Sequence, residues 1–201
     1  MNVFALERFM RNEAFEVRPV SGAVGAEILG IDLARDLDAA EVAGIRSAFH
    51  EHGVVFFREQ NLTPEQHIAF AERIAPININ RFFKAAPGYP QIAEVRKEPQ
   101  QTTNIGGGWH TDHSYDQIPA MGSILLAREV PPRGGDTLFA SMGLAYEALS
   151  DGLKRTLASL RAVHSSRHVF GAKNAYTKGA GDRLGNPELA TQDAIHPVVI
   201  R

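Results

Sequence analysis

A chain of 201 residues with 44% hydrophobic and 22% charged side chains has the ordinary make-up of a soluble folded protein, with enough apolar material for one sizeable core. A formal net charge of −2 leaves no basic footprint for nucleic acid, and no apolar run reaches the ~20 residues that a membrane span needs. The sequence has no cysteine, which excludes disulfides and thiolate-held zinc or iron–sulfur centres. Glu7, Arg8, Arg11 and Glu13 interrupt the amino terminus, so it lacks the unbroken apolar stretch of a secretory signal, and a cytoplasmic setting is expected.

In chain order, residues 15–20 and 26–33 read as strands separated by a Ser21-Gly22 turn. Asp38 opens a helix, with Glu41 three residues on as a capping box, and the helix runs to His52 with Gly53 just past its end. The β-branched and aromatic run 53–57 predicts a buried strand. A second helix starts at Thr63, with Pro64 in its first position and Gln66 completing another capping box, and turns Ile68, Phe70 and Ile74 toward the core. Residues 76–89 look irregular, 92–95 read as a short strand, and the polar stretch 97–108 as a loop.

Further on, 122–127 reads as a buried strand, Pro131 to Gly135 as a turn and 137–140 as a returning strand. Residues 145–160 are predicted helical, with Leu149, Leu153, Leu157 and Leu160 forming a stripe suited to core packing. Residues 171–193, rich in Gly, Asn and Lys, predict a long mobile loop or insertion. No repeat, low-complexity tract or linker divides the chain, so residues 1–201 are expected to be a single domain.

The chemistry concentrates in Gly106-Gly107-Gly108-Trp109-His110-Thr111-Asp112 and, downstream, Gly134-Gly135-Asp136-Thr137. On an extended segment His110 and Asp112 project to the same face, so one metal ion could touch both. Two histidines and a carboxylate on one face of an octahedron make the site of non-haem Fe(II) oxygenases, and this stretch holds two of the three. The spacing alone arises readily by chance, and taken by itself it is better explained by a surface His beside a turn Asp. The glycines add weight, because they let backbone approach a ligand closely.

The run WHTDHSYDQIPAMGSILLAREVPPRGGDTLFASMGLAYEALS from Trp109 to Ser150 resembles the Fe(II)/2-oxoglutarate-dependent dioxygenases related to taurine dioxygenase and the 2,4-dichlorophenoxyacetate dioxygenases. The resemblance extends over VRPVSGAVGAEILGIDL and HGVVFFREQN, between Val17 and Asn61, and the HPVV of His196 to Val199. It implies a mixed α+β fold around a double-stranded β-helix, a cupin-like jelly roll with flanking helices. It also implies Fe(II) held by His110 and Asp112, with Thr137 at the carboxylate of 2-oxoglutarate. O2 would be the second cosubstrate, and a small organic molecule would be hydroxylated.

In that family a second iron-binding histidine, and then an arginine for the far carboxylate of 2-oxoglutarate, follow the HPVV stretch. Neither can be assigned within these 201 residues, so the expectation is a C-terminally incomplete copy. His164 is a weak substitute for the missing ligand. Where taurine-specific relatives surround the sulfonate with polar groups, this chain places Asn80, Phe83, Gly106 and Val169, with the cleft Phe kept as Phe170. A larger or more apolar substrate than taurine is implied. Trp109 is expected to pack beneath the metal segment, and His113 and Tyr115 to lie beside the pair or on the surface. A homo-oligomer is expected, without nucleic-acid or membrane partners. The alternatives are a non-catalytic remnant serving as a binding or oligomerisation module, and a hydrolytic zinc enzyme, in which Gly-Gly-Asp-Thr has no role.

Overall fold

A computed structural model describes residues 14–102, 104–171, 173 and 183–200. The reading of the first thirteen residues, and most of the loop expected at 171–193, lie outside that set. The chain divides into two compact units, Met1–Ile74 with Leu126–Leu149, and Ala75–Leu125 with Ser150–Arg201.

The first unit is built on a three-stranded sheet. Strand β1 (Glu16–Pro19) pairs antiparallel with β2 (Ala26–Leu29), and β2 pairs parallel with β3 (Val55–Phe56). The parallel step needs a crossover, and helix α1 (Ala39–His52) supplies it. The capping box is present in full: Asp38 accepts from the Glu41 N–H at 2.8 Å, and Glu41 accepts from the Asp38 N–H at 2.8 Å. Gly53 closes the helix in the left-handed region at φ 69°. Helix α2 (Pro64–Ile74) starts as expected, with Thr63 and Gln66 exchanging bonds of 2.9 and 3.3 Å.

Val42, Ile45 and Ala48, one face of α1, bury themselves against Phe15, Ile28, Ile31, Leu33, Leu37, Leu62 and Phe70. Ile74 packs on this core too, while Ile68 is only half-buried. Strand β2 stops four residues earlier than expected because Gly30 turns the backbone to φ 80°. Ile31 and Leu33 stay buried, and the Gln60 side chain accepts from the Leu33 N–H at 2.9 Å and donates to the Ile31 carbonyl at 3.1 Å.

Residues 122–127 and 137–140 are not strands, contrary to expectation. Leu125 is 71% and Leu138 73% exposed, and among the described residues no strand pairs with either run. An apolar run becomes a strand only where a neighbour satisfies its backbone groups. The helix expected over 145–160 is two: α3 (Met142–Glu147) and α4 (Asp151–Leu157). Ser150 breaks it by capping α4, accepting from the Leu153 N–H at 3.3 Å. The leucine stripe is therefore not a packed face, and Leu153 is 52% exposed.

In the second unit β4 (Ala85–Ala86) and β5 (Tyr89–Ala93) make a small antiparallel pair around Gly88 at φ 81°. The short strand thus begins three residues before the predicted 92–95, and β4 falls in the stretch expected to be irregular. Strand β6 (Arg161–Ser165) leads into the short helix α5 (Arg167–Phe170) and pairs antiparallel with β7 (Asp193–Pro197) in the register Ala162 to His196 and His164 to Ala194. Sequence patterning missed β6 and β7 alike. Part of the expected loop is packed: Leu184 and Ala190 are buried, and Leu184 bridges to Phe83.

Among the described residues the strands form three separate sheets of three, two and two, so the two-sheet roll that the resemblance implies is not assembled from them. No helix among them is long and apolar enough to cross a membrane.

Candidate metal centre

His110 and Asp112 do not sit on a strand. Gly106 turns the chain at φ 73°, His110 follows in irregular backbone, and Asp112 begins the next turn. A Cβ at Gly106 would lie 3.4 Å from the His110 ring, so the glycine here serves both conformation and close approach.

The two side chains nevertheless converge. His110 Nε2 lies 3.2 Å from Asp112 Oδ1. Two ligands about 2.1 Å from one cation and about 90° apart would be separated by about 3.0 Å. Each group is also held from behind. Nδ1 of His110 lies 2.7 Å from the Gly108 carbonyl, which can only accept, so Nδ1 carries the proton of that bond and Nε2 is the nitrogen turned toward Asp112. Ser123 Oγ donates to Asp112 Oδ2 at 2.8 Å, leaving Oδ1 toward the imidazole. Both side chains are more than half exposed, at 55% and 57%, so an entering ion meets little obstruction. With His110 protonated the same contact would be a surface ion pair of about 0–1 kcal/mol, which does not call for a bond behind each partner.

Among the described residues no third His, Asp or Glu joins the pair. His164 is instead beside His196, with ring centres 5.5 Å apart. Trp109, expected to pack below the segment, is instead 72% exposed.

The turn after Asp112 is heavily tied. His113 is left-handed at φ 54°, a conformation costing a non-glycine residue on the order of 1–2 kcal/mol. The Asp116 N–H donates to the His113 carbonyl at 3.0 Å, and His113 Nδ1 donates to Asp116 Oδ2 at 3.1 Å. The other Asp116 oxygen accepts from Arg81 at 2.7 Å. His196 Nε2 lies 3.0 Å from the Ser114 carbonyl and 3.1 Å from that of Asp116, so this nitrogen too carries its proton. Burial alone would raise the Asp116 carboxyl, but the bonds from Arg81 and His113 outweigh it and hold it below its ordinary value. Burial, with Asp116 adding to it, pushes the Tyr115 hydroxyl up to about 12.

Tyr115 is not on the surface. Its ring meets Phe82 edge-on at 5.9 Å and Phe170 edge-on at 5.9 Å, while Phe82 and Phe170 stack at 4.1 Å. Phe83 meets Phe170 edge-on at 6.4 Å, so two of the expected substrate residues are neighbours in one aromatic cluster. Asn80 has a structural task, its Oδ1 accepting from the Phe82 and Phe83 N–H groups at 2.8 and 3.0 Å. Gly106 lies at the His110 ring, and Val169 is 42% exposed on α5. Thr137 belongs to the other unit and is exposed in irregular backbone.

Ser123, Arg81, Asp116 and His196 were not singled out as supports in the sequence. Asp116 carried a local signal, a polar residue three after His113 in a turn-like HSYD, whereas the others reach the segment from distant positions that no local pattern reveals.

The family described as "Taurine catabolism dioxygenase TauD, TfdA family" matches residues 16–201. The (S)-phenoxypropionate/alpha-ketoglutarate-dioxygenase of Sphingobium herbicidovorans is 34% identical over 170 residues, 83% of this chain and 59% of that protein. An alkylsulfatase of Acinetobacter baylyi is 35% identical over 198 residues, 96% of this chain and 61% of its own. The chain thus spans about six-tenths of the length of these curated relatives. The crystal structure of a taurine dioxygenase from Burkholderia xenovorans superposes with a TM-score of 0.67 at 40% identity, covering 76% of this chain and 54% of that one. With a family match running through nearly all of its sequence, the chain belongs to the TauD/TfdA dioxygenase family.

Proposed function

We propose that the protein is, or is part of, an Fe(II)- and 2-oxoglutarate-dependent oxygenase that hydroxylates a small organic substrate other than taurine. The observation that carries this reading is the approach of His110 Nε2 to Asp112 Oδ1 at 3.2 Å, each atom left open by a hydrogen bond behind it. A neutral imidazole nitrogen and a carboxylate oxygen suit Fe(II), and two such groups fit two of the three protein positions of the facial site. Iron bound there supplies O2 activation coupled to conversion of 2-oxoglutarate into succinate and CO2, with one oxygen atom passing to a substrate C–H bond.

The chain's own residues hold and orient. The Gly108 carbonyl keeps His110 in the tautomer that offers Nε2, and Ser123 keeps Asp112 from rotating away. Thr137 is assigned to the cosubstrate carboxylate, as a hydroxyl donor, on the Gly-Gly-Asp-Thr motif. Residues 1–201 are read as one dioxygenase domain on the double-stranded β-helix plan, supported by a family match that runs through both compact units.

For the substrate, Phe83 and Phe170 offer an apolar wall, and Gly106 and Val169 add no polar group. The Asn80 oxygen is already engaged by two backbone N–H groups, so only its amide NH2 remains for a ligand. Each hydrogen bond missing from a charged sulfonate would cost on the order of 1.5–3 kcal/mol, which argues against taurine. Self-association belongs to the same proposal, supported by exposed apolar side chains such as Ile118, Leu125, Leu138 and Met142, and sedimentation at several concentrations checks it. Neither curated relative compared above carries the name of a binding module, and nothing among the described residues favours the remnant alternative.

Anaerobic titration with Fe(II) and 2-oxoglutarate tests the proposal. A weak visible charge-transfer band should appear, vanish in His110→Ala and Asp112→Ala, and be followed in air by succinate formation that aryloxy or alkyl-ester substrates stimulate more than taurine does. A chain that gives neither band nor succinate is not an oxygenase by itself.

A further inference from the structure

We infer that His196 and Asp116, with Arg81 behind them, are positioning residues that aim the Asp112 carboxylate at His110. The inference rests on the cation-site reading of the His110–Asp112 pair. Apart from its contact with His110, the Asp112 side chain is held by the bond from Ser123, and its backbone leaves directly into a left-handed residue, His113. The direction of the Asp112 side chain follows from that backbone, so whatever maintains the left-handed step also sets where Oδ1 points.

Three distant parts of the unit maintain it. Arg81, from the segment before β4, grips one oxygen of Asp116 at 2.7 Å while the other accepts from His113 at 3.1 Å. His196, from β7, shares one N–H between the carbonyls of Ser114 and Asp116 at 3.0 and 3.1 Å. Beneath the turn, Tyr115 is locked between Phe82 and Phe170, and the Arg81 guanidinium lies over the Phe82 and Tyr115 rings at 5.7 and 5.9 Å. The contrast in exposure fits a support beneath a working pair: Asp116 and His113 are largely buried, whereas His110 and Asp112 lie open. A turn that served the fold alone would have no reason to begin on the residue that faces the His110 imidazole.

The test titrates the full chain with Mn(II), followed by the loss of the free-ion electron paramagnetic resonance signal, and needs no turnover. The unaltered protein should show one saturable site that His110→Ala abolishes. His196→Ala and Asp116→Asn should each raise the Mn(II) dissociation constant by roughly 10-fold or more, the usual effect of removing an outer support of a metal ligand. His196→Gln, whose amide nitrogen can donate from about the place of Nε2, should stay within about threefold. Near-ultraviolet dichroism at the titration temperature establishes that each variant is folded, and Asp116→Asn, nearly isosteric, carries the test if His196→Ala does not fold.

A folded His196→Ala or Asp116→Asn that binds Mn(II) as tightly as the unaltered chain overturns the inference while leaving the metal pair intact. A His196→Gln variant as weak as His196→Ala overturns the hydrogen-bond basis. An unaltered chain that binds no better than His110→Ala removes the cation-site reading itself, and this inference with it.

Discussion

Asp116 has its two oxygens committed, one to Arg81 and one to His113, and those bonds hold its carboxyl below the ordinary range despite burial. A depressed folded-state value means that the stabilisation is complete above the unfolded value of about 3.9 and is lost as pH falls through the folded one. Asp116→Asn should therefore lower the midpoint of thermal unfolding by a nearly constant amount from pH 7 to about pH 5, and the gap should close as the pH drops below about 4. A gap unchanged down to pH 3 would sink this account. The approach of His110 to Asp112 was legible in their two-residue spacing, although a turn and not the expected strand brings the side chains together. The bond from Ser123 was not, since it joins positions eleven residues apart through a register that sequence does not display. Trp109 was misplaced for the same reason: its apolar area argued for burial, but burial depends on what lies opposite.

Helix α1 has both ends fixed by local chemistry, so its energetics can be tested in isolation from the site. Asp38→Ala removes the acceptor for the Glu41 N–H, and one lost cap costs about 1 kcal/mol. Gly53→Ala should cost about as much, because φ 69° strains any side chain and the new methyl would approach Val24 to 3.3 Å. Urea unfolding measures both losses, and a change below a few tenths of a kcal/mol in either would show that the end in question is not held as described. Both early helices were legible for this reason, since a capping box is an i to i+3 pattern written into the sequence. Ser150-Asp151 is such a start signal too, but the four-residue leucine spacing masked it. Strands β6 and β7 pair across about thirty residues, and the runs 122–127 and 137–140 lack any partner among the described residues. Apolar alternation states that a segment can be a strand, and only the partner decides whether it is one.

For the molecule as a whole, what can be tested is linkage between ion and fold. The family match extends through both units, but His110, Asp112 and Ser123, with the Arg81, Asp116 and His196 supports, all fall within one of them, Ala75–Leu125 with Ser150–Arg201. A divalent ion that binds this unit only when folded stabilises it by mass action, about 2.7 kcal/mol at a free concentration 100 times the dissociation constant. Mn(II) should therefore slow amide hydrogen exchange across residues 105–125 saturably, and leave that segment in Asp112→Ala unchanged. The protection should extend to β7, because His196 ties that strand to the carbonyls of Ser114 and Asp116. Protection confined to the immediate neighbours of His110 would mean that the turn is not coupled to the sheet, and protection equal in Asp112→Ala would mean that the ion binds elsewhere.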